Sequence, residues 1–330
     1  MFVRGQKLNK RLFSKSVEKV SLRDGYGEGL LQAGEGDSRV VALCADLLQS
    51  TRSDAFAQKF PERFFEMGVA EQNMAGVAAG LGISGKIPFM ASYAIFSPGR
   101  NWEQIRTNIS YNNSNVKIAG HHAGVSTGPD GATHQAIEDM AIMRVMANMR
   151  VIVPCDVHEA RRATLAAAKM WGPVYLRLTK EATPVITSED TPFNPGQAAI
   201  FWESPSPKCA IIACGPLVYN AMLAAKELET EGIGTMVVNN HTIKPMDTAR
   251  ILEAAKRCGS VVTVEEHQIE GGMGSAVAEV LAANLPTPQE FIGVQGIFGE
   301  SGKPDELIEQ YGMAVRDIRS AVKRAVRRRK

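Results

Sequence analysis

An acidic residue at the start of a helix of small residues is the first side chain in this sequence that points to chemistry. Glu71 lies in the segment Gly68-Val-Ala-Glu-Gln-Asn-Met, after a predicted strand at 64–67 and before a predicted helix at 72–83. The partial positive charge of a helix N-terminus favours an anion there. Taken alone, Glu71 is most simply a helix-start acid, and only the rest of the chain indicates a site.

Histidines cluster in a glycine-rich loop further along the chain. His121, His122 and His134 fall within fourteen residues, and Asp130 lies among them. Glycine lets the backbone approach a ligand closely, and an imidazole can take up or release a proton near neutral pH. A turn with incidental histidines and a metal site are the two other interpretations. Because no carboxylate or cysteine spacing here matches a closed zinc site, we expect no metal site on this chain.

The composition is that of an ordinary globular protein. The chain has 330 residues, 45% of them hydrophobic and 22% charged, and a formal net charge of +2. This length suits two domains. Basic residues concentrate at 316–330, where Asp317 is the only acid. We interpret this run as a solvated helix face and not as a nucleic-acid site.

The cysteines and the hydropathy indicate a cytoplasmic location. The sequence holds five cysteines without zinc-like pair spacing: Cys44, Cys155, Cys209, Cys214 and Cys258. This pattern is typical of reduced, buried thiols in a cytosolic protein. No apolar run approaches the roughly 18 residues that a membrane-spanning helix needs, and the basic N-terminus lacks the apolar segment of a secretory signal. We therefore expect no membrane association.

Strand-like and helix-like segments alternate along the chain and predict an α/β fold. In the first half, short apolar strands at 40–45, 64–67, 87–91, 116–120, 150–154 and 174–178 alternate with amphipathic helices, one of them at 100–111. The pattern assigns no element before residue 40. The pattern restarts later, with strands at 209–214, 234–239, 261–265 and 291–294. Short apolar strands between helices predict open, largely parallel sheets covered on both faces. The sequence therefore predicts two consecutive α/β sheet domains.

A stretch of low periodicity divides the two patterns. Residues 181–207 are rich in proline, serine and threonine and indicate an interdomain connection. We predict a basic N-terminal extension (1–19), a first α/β domain (20–183), a linker (184–207) and a second α/β domain (208–330).

The candidate side chains share one position relative to the predicted strands. Each follows a strand of the first domain: Glu71, Phe96, His122, Asp130 and His134. Ligands bind beyond the carboxyl ends of the strands in open parallel sheets. The placement is consistent with one shared site.

With these residues in view, the sequence resembles the transketolase family of thiamine diphosphate enzymes. The resemblance rests on Gly68-Val-Ala-Glu, Tyr93-Ala-Ile-Phe, His121-His-Ala-Gly and Gly128-Pro-Asp-Gly-Ala-Thr-His-Gln. It extends over residues 20–314 and matches only the second and third domains of a full transketolase. The chain looks like the C-terminal subunit of a two-chain transketolase, with a thiamine diphosphate pyrimidine-binding domain followed by a transketolase C-terminal domain.

The resemblance implies a cofactor role for one group of residues. Glu71 matches the glutamate that hydrogen-bonds the aminopyrimidine ring of thiamine diphosphate and so promotes loss of the thiazolium C2 proton. The cofactor supplies the carbanion chemistry, and the protein orients it and places the protons. Tyr93 and Phe96 match aromatic positions against the pyrimidine, and Asp46 matches an aspartate near the cofactor and the subunit contact.

A second group is implied to handle a sugar phosphate. His122 matches a position that contacts the substrate, Asp130 an acid that reads a hydroxyl, and His134 a histidine near the reacting carbonyl. We expect Glu71, His122 and His134 to be catalytic. Family members carry a further phosphate-binding arginine after the last strand of this domain, where this chain offers Arg177 or Lys180. The expected substrate-binding residues are Arg23, Ser50, His122, Asp130, Arg177 and Lys180.

The resemblance also implies a partner chain. The family's diphosphate-binding domain, which is marked by a Gly-Asp-Gly run, is absent from this sequence. We expect activity only with an N-terminal transketolase subunit that holds Mg²⁺ or Ca²⁺ by hard oxygen ligands. Thiamine diphosphate would lie at the shared interface of an α2β2 heterotetramer. The expected reaction transfers a two-carbon ketol unit between sugar phosphates, in the pentose phosphate pathway or a specialised sugar route.

Other functions remain open from the sequence. One is the β subunit of a 2-oxo acid dehydrogenase E1 component, which has the same length, domains and cofactor. Others are deoxyxylulose phosphate synthase, normally one long chain, and a non-catalytic protein with an inherited fold. The segment 130–135 together with His122 favours the sugar-handling enzyme. The glycine-rich turn at 270–274 is only weak support for a dinucleotide site, and we interpret it as structural.

Overall fold

The computed structural model describes residues 2–3 and 5–329. The first half of the chain contributes the strands β1 Lys19–Ser21, β2 Val40–Cys44, β3 Phe64–Glu66, β4 Ile87–Tyr93, β5 Lys117–His121, β6 Arg150–Ile152, β7 Val174–Arg177 and β8 Ala182–Pro184. Its α-helices are α1 Leu22–Gly36, α2 Asp54–Lys59, α3 Glu71–Ile83, α4 Trp102–Gln104, α5 Asp139–Arg144 and α6 Val157–Lys169. Shorter helical turns are Pro61–Arg63, Ile105–Ser110 and Val125–Asp130.

The second half contains the remaining elements. Its strands are β9 Ala199–Glu203, β10 Cys209–Ala213, β11 Thr235–Asn239, β12 Thr242–Lys244, β13 Val261–Gln268 and β14 Gln289–Val294. Its helices are α7 Val218–Thr230, α8 Thr248–Cys258, α9 Met273–Asn284, α10 Pro304–Gln310 and α11 Val315–Arg327, with a short turn at Gly215–Leu217.

The first sheet has seven strands in the order β12-β6-β7-β5-β4-β2-β3. All of its pairs are parallel except β12 with β6. Every residue of β2 and of β5 is buried, as expected for strands that helices cover on both faces.

The second sheet has five strands in the order β14-β13-β10-β11-β9. Only the edge strand β9 runs antiparallel to its neighbour. The predicted fold class, two consecutive open and largely parallel α/β sheets, is confirmed.

Several elements differ from the predicted pattern, which also lacks the short strands β1 and β8. The pattern predicts no helix in residues 22–36, where the structure has α1. The predicted helix at 100–111 is divided into α4 and the π-helical turn Ile105–Ser110. Strand β12 follows a strand of the second sheet yet pairs with β6, so the second half of the chain completes the edge of the first sheet.

The N-terminal residues and the segment between the sheets are anchored in the structure. Leu12 is fully buried in the apolar core of the second half, and the Phe13 ring packs edge-on against Trp202 at 5.9 Å. Strand β1 pairs with β8 in a small antiparallel ribbon. The chain segments on either side of the first domain therefore lie together.

Candidate functional site

The candidate side chains line the carboxyl edge of the first sheet in the order of its strands. Glu71 follows β3, Asp46 follows β2, Tyr93 ends β4, His122 follows β5 and Lys180 follows β7. These strands are neighbours in the order β3-β2-β4-β5-β7. Because their pairs are parallel, their carboxyl ends meet at one edge, where ligands bind in open sheets.

Glu71 is a buried acid at the first position of α3. Its side chain is 2% exposed, and Ala70, the residue that precedes the helix, offers no capping side chain. Arg100 donates a hydrogen bond from Nη1 to Glu71 Oε2 at 2.8 Å. Asn101 Nδ2 donates to the backbone carbonyl of Glu71 at 3.0 Å. The helix N-terminus and Arg100 both present positive charge to this carboxyl group.

A row of stacked rings extends from Glu71 to the middle of the sheet. The Arg100 guanidinium lies 4.6 Å from the Phe96 ring centroid. Phe96 stacks on Tyr93 at 6.0 Å, and Tyr93 stacks on His122 at 3.7 Å. The half-buried Phe96 and Tyr93 rings form an aromatic wall near the Glu71–Arg100 pair. Aromatic side chains of this kind suit a planar heterocycle.

His134 lies in front of this wall. Its ring meets Phe96 edge-on at 5.4 Å and Tyr93 at 6.2 Å. The hydroxyl of Thr133 is 2.9 Å from Nδ1 of His134. The half-buried imidazole therefore sits within reach of a group bound on the aromatic wall.

Positive charge collects at the other end of the row. Lys180 Nζ lies 3.0 Å from both carboxylate oxygens of Asp130. Arg23 donates from Nε to the Lys180 carbonyl at 3.1 Å and from Nη1 to the Ser50 carbonyl at 3.0 Å. Burial and the nearby charge of Arg52 lower the pKa of Arg23. Closely spaced cations of this kind provide a place for a phosphate.

His122 connects the two ends of the row. Its backbone is in the left-handed region with φ of 55°, and among the described residues its Nδ1 has no hydrogen-bond partner. Burial, followed by the charges of Arg23 and Lys180, lowers the pKa of His122 to about 3. The ring is neutral at physiological pH, so it can both donate and accept a hydrogen bond.

Arg177, one of the two cations expected to bind phosphate, is not part of this row. Its side chain is 2% exposed. Nε donates to Asp139 Oδ2 at 2.8 Å, and Nη2 donates to the carbonyls of Ala136 and Glu266 at 3.1 and 2.9 Å. The expectation of substrate contact is wrong for Arg177, because buried protein groups occupy its guanidinium. Of the two cations, Lys180 lies at the site.

Asp46 and Ser50 both follow β2 but lie in different surroundings. The Asp46 backbone N–H donates to Glu66 Oε1 at 2.7 Å, which places Asp46 beside the turn that leads to α3. Ser50 reaches the row through its carbonyl oxygen, which accepts from Arg23. Ser50 therefore holds the Arg23 guanidinium in place through its backbone.

The neighbouring His121 is a core residue. Its ring is fully buried and packs edge-on against Tyr26 at 4.8 Å. Burial holds the pKa of His121 well below its usual value. Successive side chains at the end of a strand point in opposite directions, so the His121 ring lies in the core and the His122 ring lies in the row.

The glycine-rich turn at 270–274 is filled by the protein itself. Glu265 Oε2 accepts from the backbone N–H of Met273 at 2.6 Å, and Oε1 accepts from that of Gly274 at 2.7 Å. Burial raises the pKa of Glu265 to about 8. The N-terminus of α9 thus binds the protein's own carboxyl group, which accounts for the turn without a dinucleotide.

Sequence reasoning missed Arg100, which contacts both Glu71 and Phe96. Its only signal in the sequence is its position four residues after Phe96. Within residues 2–3 and 5–329, no cluster of three or more histidine, cysteine, aspartate or glutamate side chains is placed to hold a metal ion. In that same part of the chain, no helix is long and apolar enough to cross a membrane.

Comparison with known proteins gives the same family for both halves of the chain. Residues 18–185 match the model of the transketolase pyrimidine-binding domain, and residues 197–318 match that of the transketolase C-terminal domain. A putative transketolase C-terminal section of Methanocaldococcus jannaschii is 45% identical over 88% of this chain and 92% of its own length. A 6-deoxy-6-sulfo-D-fructose transketolase subunit of a Clostridium species is 40% identical over 93% of this chain and 94% of its own.

A solved structure agrees with these matches. It is described as a split-gene transketolase in an inactive β4 tetramer, and it is 45% identical to this chain with a TM-score of 0.88. The superposition covers 94% of this chain and 100% of that one. The chain therefore belongs to the transketolase family and corresponds to the C-terminal subunit of its split-gene members.

Proposed function

We propose that this chain is the C-terminal subunit of a transketolase that transfers a two-carbon ketol unit between sugar phosphates. The observation that carries the proposal is the continuous row from the Glu71 carboxylate, along the Phe96, Tyr93 and His122 rings, to the cations Arg23 and Lys180. One end suits a protonated heterocycle and the other end suits a phosphate.

The Glu71 end fits the aminopyrimidine of thiamine diphosphate. A buried carboxylate beside a flat ring face can hydrogen-bond a ring nitrogen while the ring stacks on Phe96 and Tyr93. When bound, thiamine diphosphate supplies the electron sink that cleavage of a ketose requires. Glu71 would hold the proton on the ring nitrogen, and Asp46, beside the turn that leads to α3, would lie near the cofactor and the subunit contact.

The cationic end fits the substrate phosphate. Lys180 is paired with Asp130 in this structure, and an incoming phosphate would compete for the ammonium group. Arg23 adds a second cation, held in place by the carbonyls of Lys180 and Ser50. Release from Lys180 leaves the Asp130 carboxylate able to accept a hydrogen bond from a sugar hydroxyl.

Two imidazoles serve the carbon chain between these ends. Neutral His122 can exchange hydrogen bonds with a substrate hydroxyl, which holds the sugar along the row. His134, in front of the aromatic wall, is placed to move a proton at the carbonyl oxygen of the substrate. The proposal thus gives His122 a binding role and His134 a role at the reacting centre.

A partner subunit completes the site in this proposal. The relatives are named as a C-terminal section and as a subunit, which supports a second chain that holds the diphosphate and Mg²⁺ or Ca²⁺ in an α2β2 heterotetramer. Exposed apolar side chains precede Glu71 at Phe65 and Val69 and continue along α3 at Val77 and Ile83, where a partner would cover them. Five buried, free thiols suit a reducing compartment such as the cytoplasm.

The sugars are defined only as a class. One relative is named for 6-deoxy-6-sulfo-D-fructose and others are named for apulose 4-phosphate. Both names describe ketoses, as the mechanism requires. The pentose phosphate pathway is therefore one candidate route among several sugar routes.

The test is a ketol-transfer assay of this chain with the product of the neighbouring reading frame, thiamine diphosphate and Mg²⁺. Xylulose 5-phosphate serves first as donor and ribose 5-phosphate as acceptor, followed by a panel of other phosphorylated ketoses. We expect product from the mixture and none from either chain alone. Decarboxylation of a 2-oxo acid without ketol transfer by the mixture would instead assign the E1 reaction.

A further inference from the structure

The loop that carries three of the site side chains is held by the second half of the molecule. This site loop, residues 122–136, contains His122, Asp130 and His134. Near its start, the backbone N–H of Ser126 donates to Glu266 Oε1 at 2.6 Å. Near its end, Arg177 Nη2 bridges the carbonyls of Ala136 and Glu266. Glu266 of β13 therefore contacts the start of the loop directly and is linked to its end through Arg177.

Close backbone approach reinforces this contact. Gly124 has φ of 90°, and a Cβ atom there would lie 2.2 Å from Glu266 Oε1. Gly131 has φ of 75°, and its Cβ would lie 2.6 Å from Ser301 Oγ. At contacts this short an added side chain would have to displace the Glu266 carboxyl group or the Ser301 hydroxyl, and the positive φ values add backbone strain. The site loop is thus fitted against the second half at two glycines.

A side-chain amide adds a third connection. Gln135 Nε2 donates to the carbonyl of Glu300 at 2.9 Å and, within the loop, to that of Val125 at 3.0 Å. Glu266 is 3% exposed, and burial raises the pKa of its carboxyl group. A neutral amide of the same shape is therefore a suitable replacement for this group, whereas alanine leaves the Ser126 N–H without its acceptor.

We propose that Glu266 is a positioning residue that fixes the site loop, so that the second domain acts as a template for substrate recognition. The proposal rests on the proposed function for its kinetic consequence but not for its structural one. A loosened loop would misplace Asp130 and His134. Glu71 on α3, Tyr93 at the end of β4 and Phe96 just after it would keep their places.

Hydrogen–deuterium exchange of this chain alone tests the structural claim. In Glu266→Ala, we expect the amides of 124–136 to exchange about tenfold faster than in the native protein, as the loss of one buried hydrogen bond predicts. Exchange in α3 should stay unchanged. Glu266→Gln should restore slow exchange, because its amide oxygen can accept from Ser126.

The adjacent Glu265 provides a matched control. It lies on the same strand, is equally buried and also accepts from backbone amides, but those amides belong to α9. Glu265→Ala should leave exchange at 124–136 unchanged. Equal loosening of the loop by both alanine variants, or none by Glu266→Ala, would overturn the proposal.

A second variant keeps the proposal testable if Glu266→Ala does not fold. Gly124→Ala places a methyl group against the Glu266 carboxyl and should loosen the same amides. If both variants fold, their effects should not add, because each removes the same contact. Additive effects would assign Gly124 and Glu266 to separate contacts and contradict the proposal that Glu266 fixes the site loop.

Kinetics with the partner subunit separate this proposal from the proposed function. Glu266→Ala should raise KM for the sugar phosphate about tenfold and leave the apparent Kd for thiamine diphosphate within twofold. An equal increase in KM for the sugar phosphate and in Kd for thiamine diphosphate would indicate a general structural role and overturn the positioning role. If Glu266→Ala loosens the loop but the native chain and its partner transfer no ketol unit, only the proposed function is rejected.

Discussion

Glu71 combines burial with a charged partner that is itself half exposed. Its side chain is 2% exposed, whereas that of Arg100 is 48% exposed. Arg100 also covers the Phe96 ring, so a heterocycle that stacks on Phe96 would displace the guanidinium. The ion pair keeps the carboxylate in place until the site is filled, a consequence of the cost of leaving a buried charge unpaired.

Substitution of Glu71 tests the cofactor end of the row. Glu71→Gln keeps the shape of the side chain but removes the charge that, in the proposed function, holds a proton on the pyrimidine. We expect ketol transfer with the partner to fall by about a thousandfold or more, at the upper end of proton-transfer effects, with little change in Tm. Exposed Glu103→Gln is the control. Near-native turnover of Glu71→Gln would contradict the assigned role.

The two imidazoles should respond differently to truncation. His134→Ala should lower kcat by about a hundredfold or more, because the proposed function places His134 at the reacting carbonyl. His122→Ala should mainly raise KM, because it removes a contact with the bound sugar. Steady-state kinetics of both variants with the partner measure the split. A reversed pattern would exchange the two roles.

Lys180 tests the phosphate end. Lys180→Met removes a cation that can form a charge-assisted hydrogen bond, so KM for a phosphorylated ketose should rise about tenfold or more. KM for the same ketose without phosphate should change little. Lys86→Met, an exposed lysine before the amino end of β4, is the matched control. Equal effects on both ketoses would remove Lys180 from the phosphate site.

At the scale of elements, α1 shows why a helix can escape prediction. The helix contains five glycines in fifteen residues, and glycine disfavours a helix interior by about 1 kcal/mol relative to alanine. A Cβ on Gly25 would lie 2.1 Å from the Val157 carbonyl oxygen, and one on Gly29 would lie 2.8 Å from that of Arg161. The glycines let α1 pack directly on the backbone of α6, and this packing stabilises the helix.

Gly25→Ala should therefore destabilise the protein. The added methyl group forces α1 away from α6, and overpacking of this kind typically costs about 1–3 kcal/mol. Gly36→Ala is the matched control, since a Cβ there meets nothing within 4 Å. Urea unfolding should show a lower midpoint for Gly25→Ala and an unchanged or slightly higher one for Gly36→Ala. Equal midpoints would show that the close packing of α1 on α6 does not limit the stability of the protein.

The basic C-terminal helix α11 is neutralised within its own half of the molecule. Arg319 pairs with Glu227 and Glu231, Lys323 pairs with Glu231, and Arg324 pairs with Glu290. Its apolar face is buried in the second half through Ile318 and Val322. The charge run is therefore the solvated face of an amphipathic helix.

At the scale of the whole molecule, the segment between β11 and β12 joins the two sheets. The His241 carbonyl accepts from the backbone N–H of Val153 at 2.7 Å, at the end of the first sheet. The His241 ring packs on Phe193 of the connecting segment at 4.4 Å, and Nδ1 meets Thr242 Oγ1 at 2.8 Å. A buried histidine thus occupies the junction.

The pH dependence of stability should report this junction. Burial lowers the pKa of His241 from 6.5 to about 4. As pH falls through this window, the unfolded chain binds a proton that the folded chain does not, so the free energy of unfolding decreases. The contribution is fully present above pH 6.5 and is lost progressively towards pH 4, at most about 1.4 kcal/mol per pH unit for one histidine.

His241→Gln isolates this contribution from the other buried titratable groups. Urea unfolding of both proteins at pH 7, 6 and 5 gives two slopes of the free energy of unfolding against pH. We expect the slope of the native protein to exceed that of the variant by up to the value for one bound proton, about 1.4 kcal/mol per pH unit. The remaining titratable groups are common to both proteins. Identical slopes would show that the pKa of His241 is the same in the folded and unfolded states.

The sequence by itself determined the fold class, the family and the positions of most candidate residues. Alternating apolar strands and amphipathic helices are local patterns, and the acid at the start of α3 and the glycine-rich histidine segment are contiguous motifs. These features need no knowledge of distant contacts. Because parallel strands align their carboxyl ends, the strand assignment was also consistent with a shared site for Glu71, Phe96 and His122.

Only the tertiary structure decided which neighbours those residues have. It placed Arg177 in a buried ion pair with Asp139 and left Lys180 at the site, a choice that burial makes and sequence spacing does not. It brought Arg100 to Glu71 and Glu266 to the site loop, across 29 and 140 residues of chain. It also formed α1 against its own propensity, because packing between distant segments outweighs local preference.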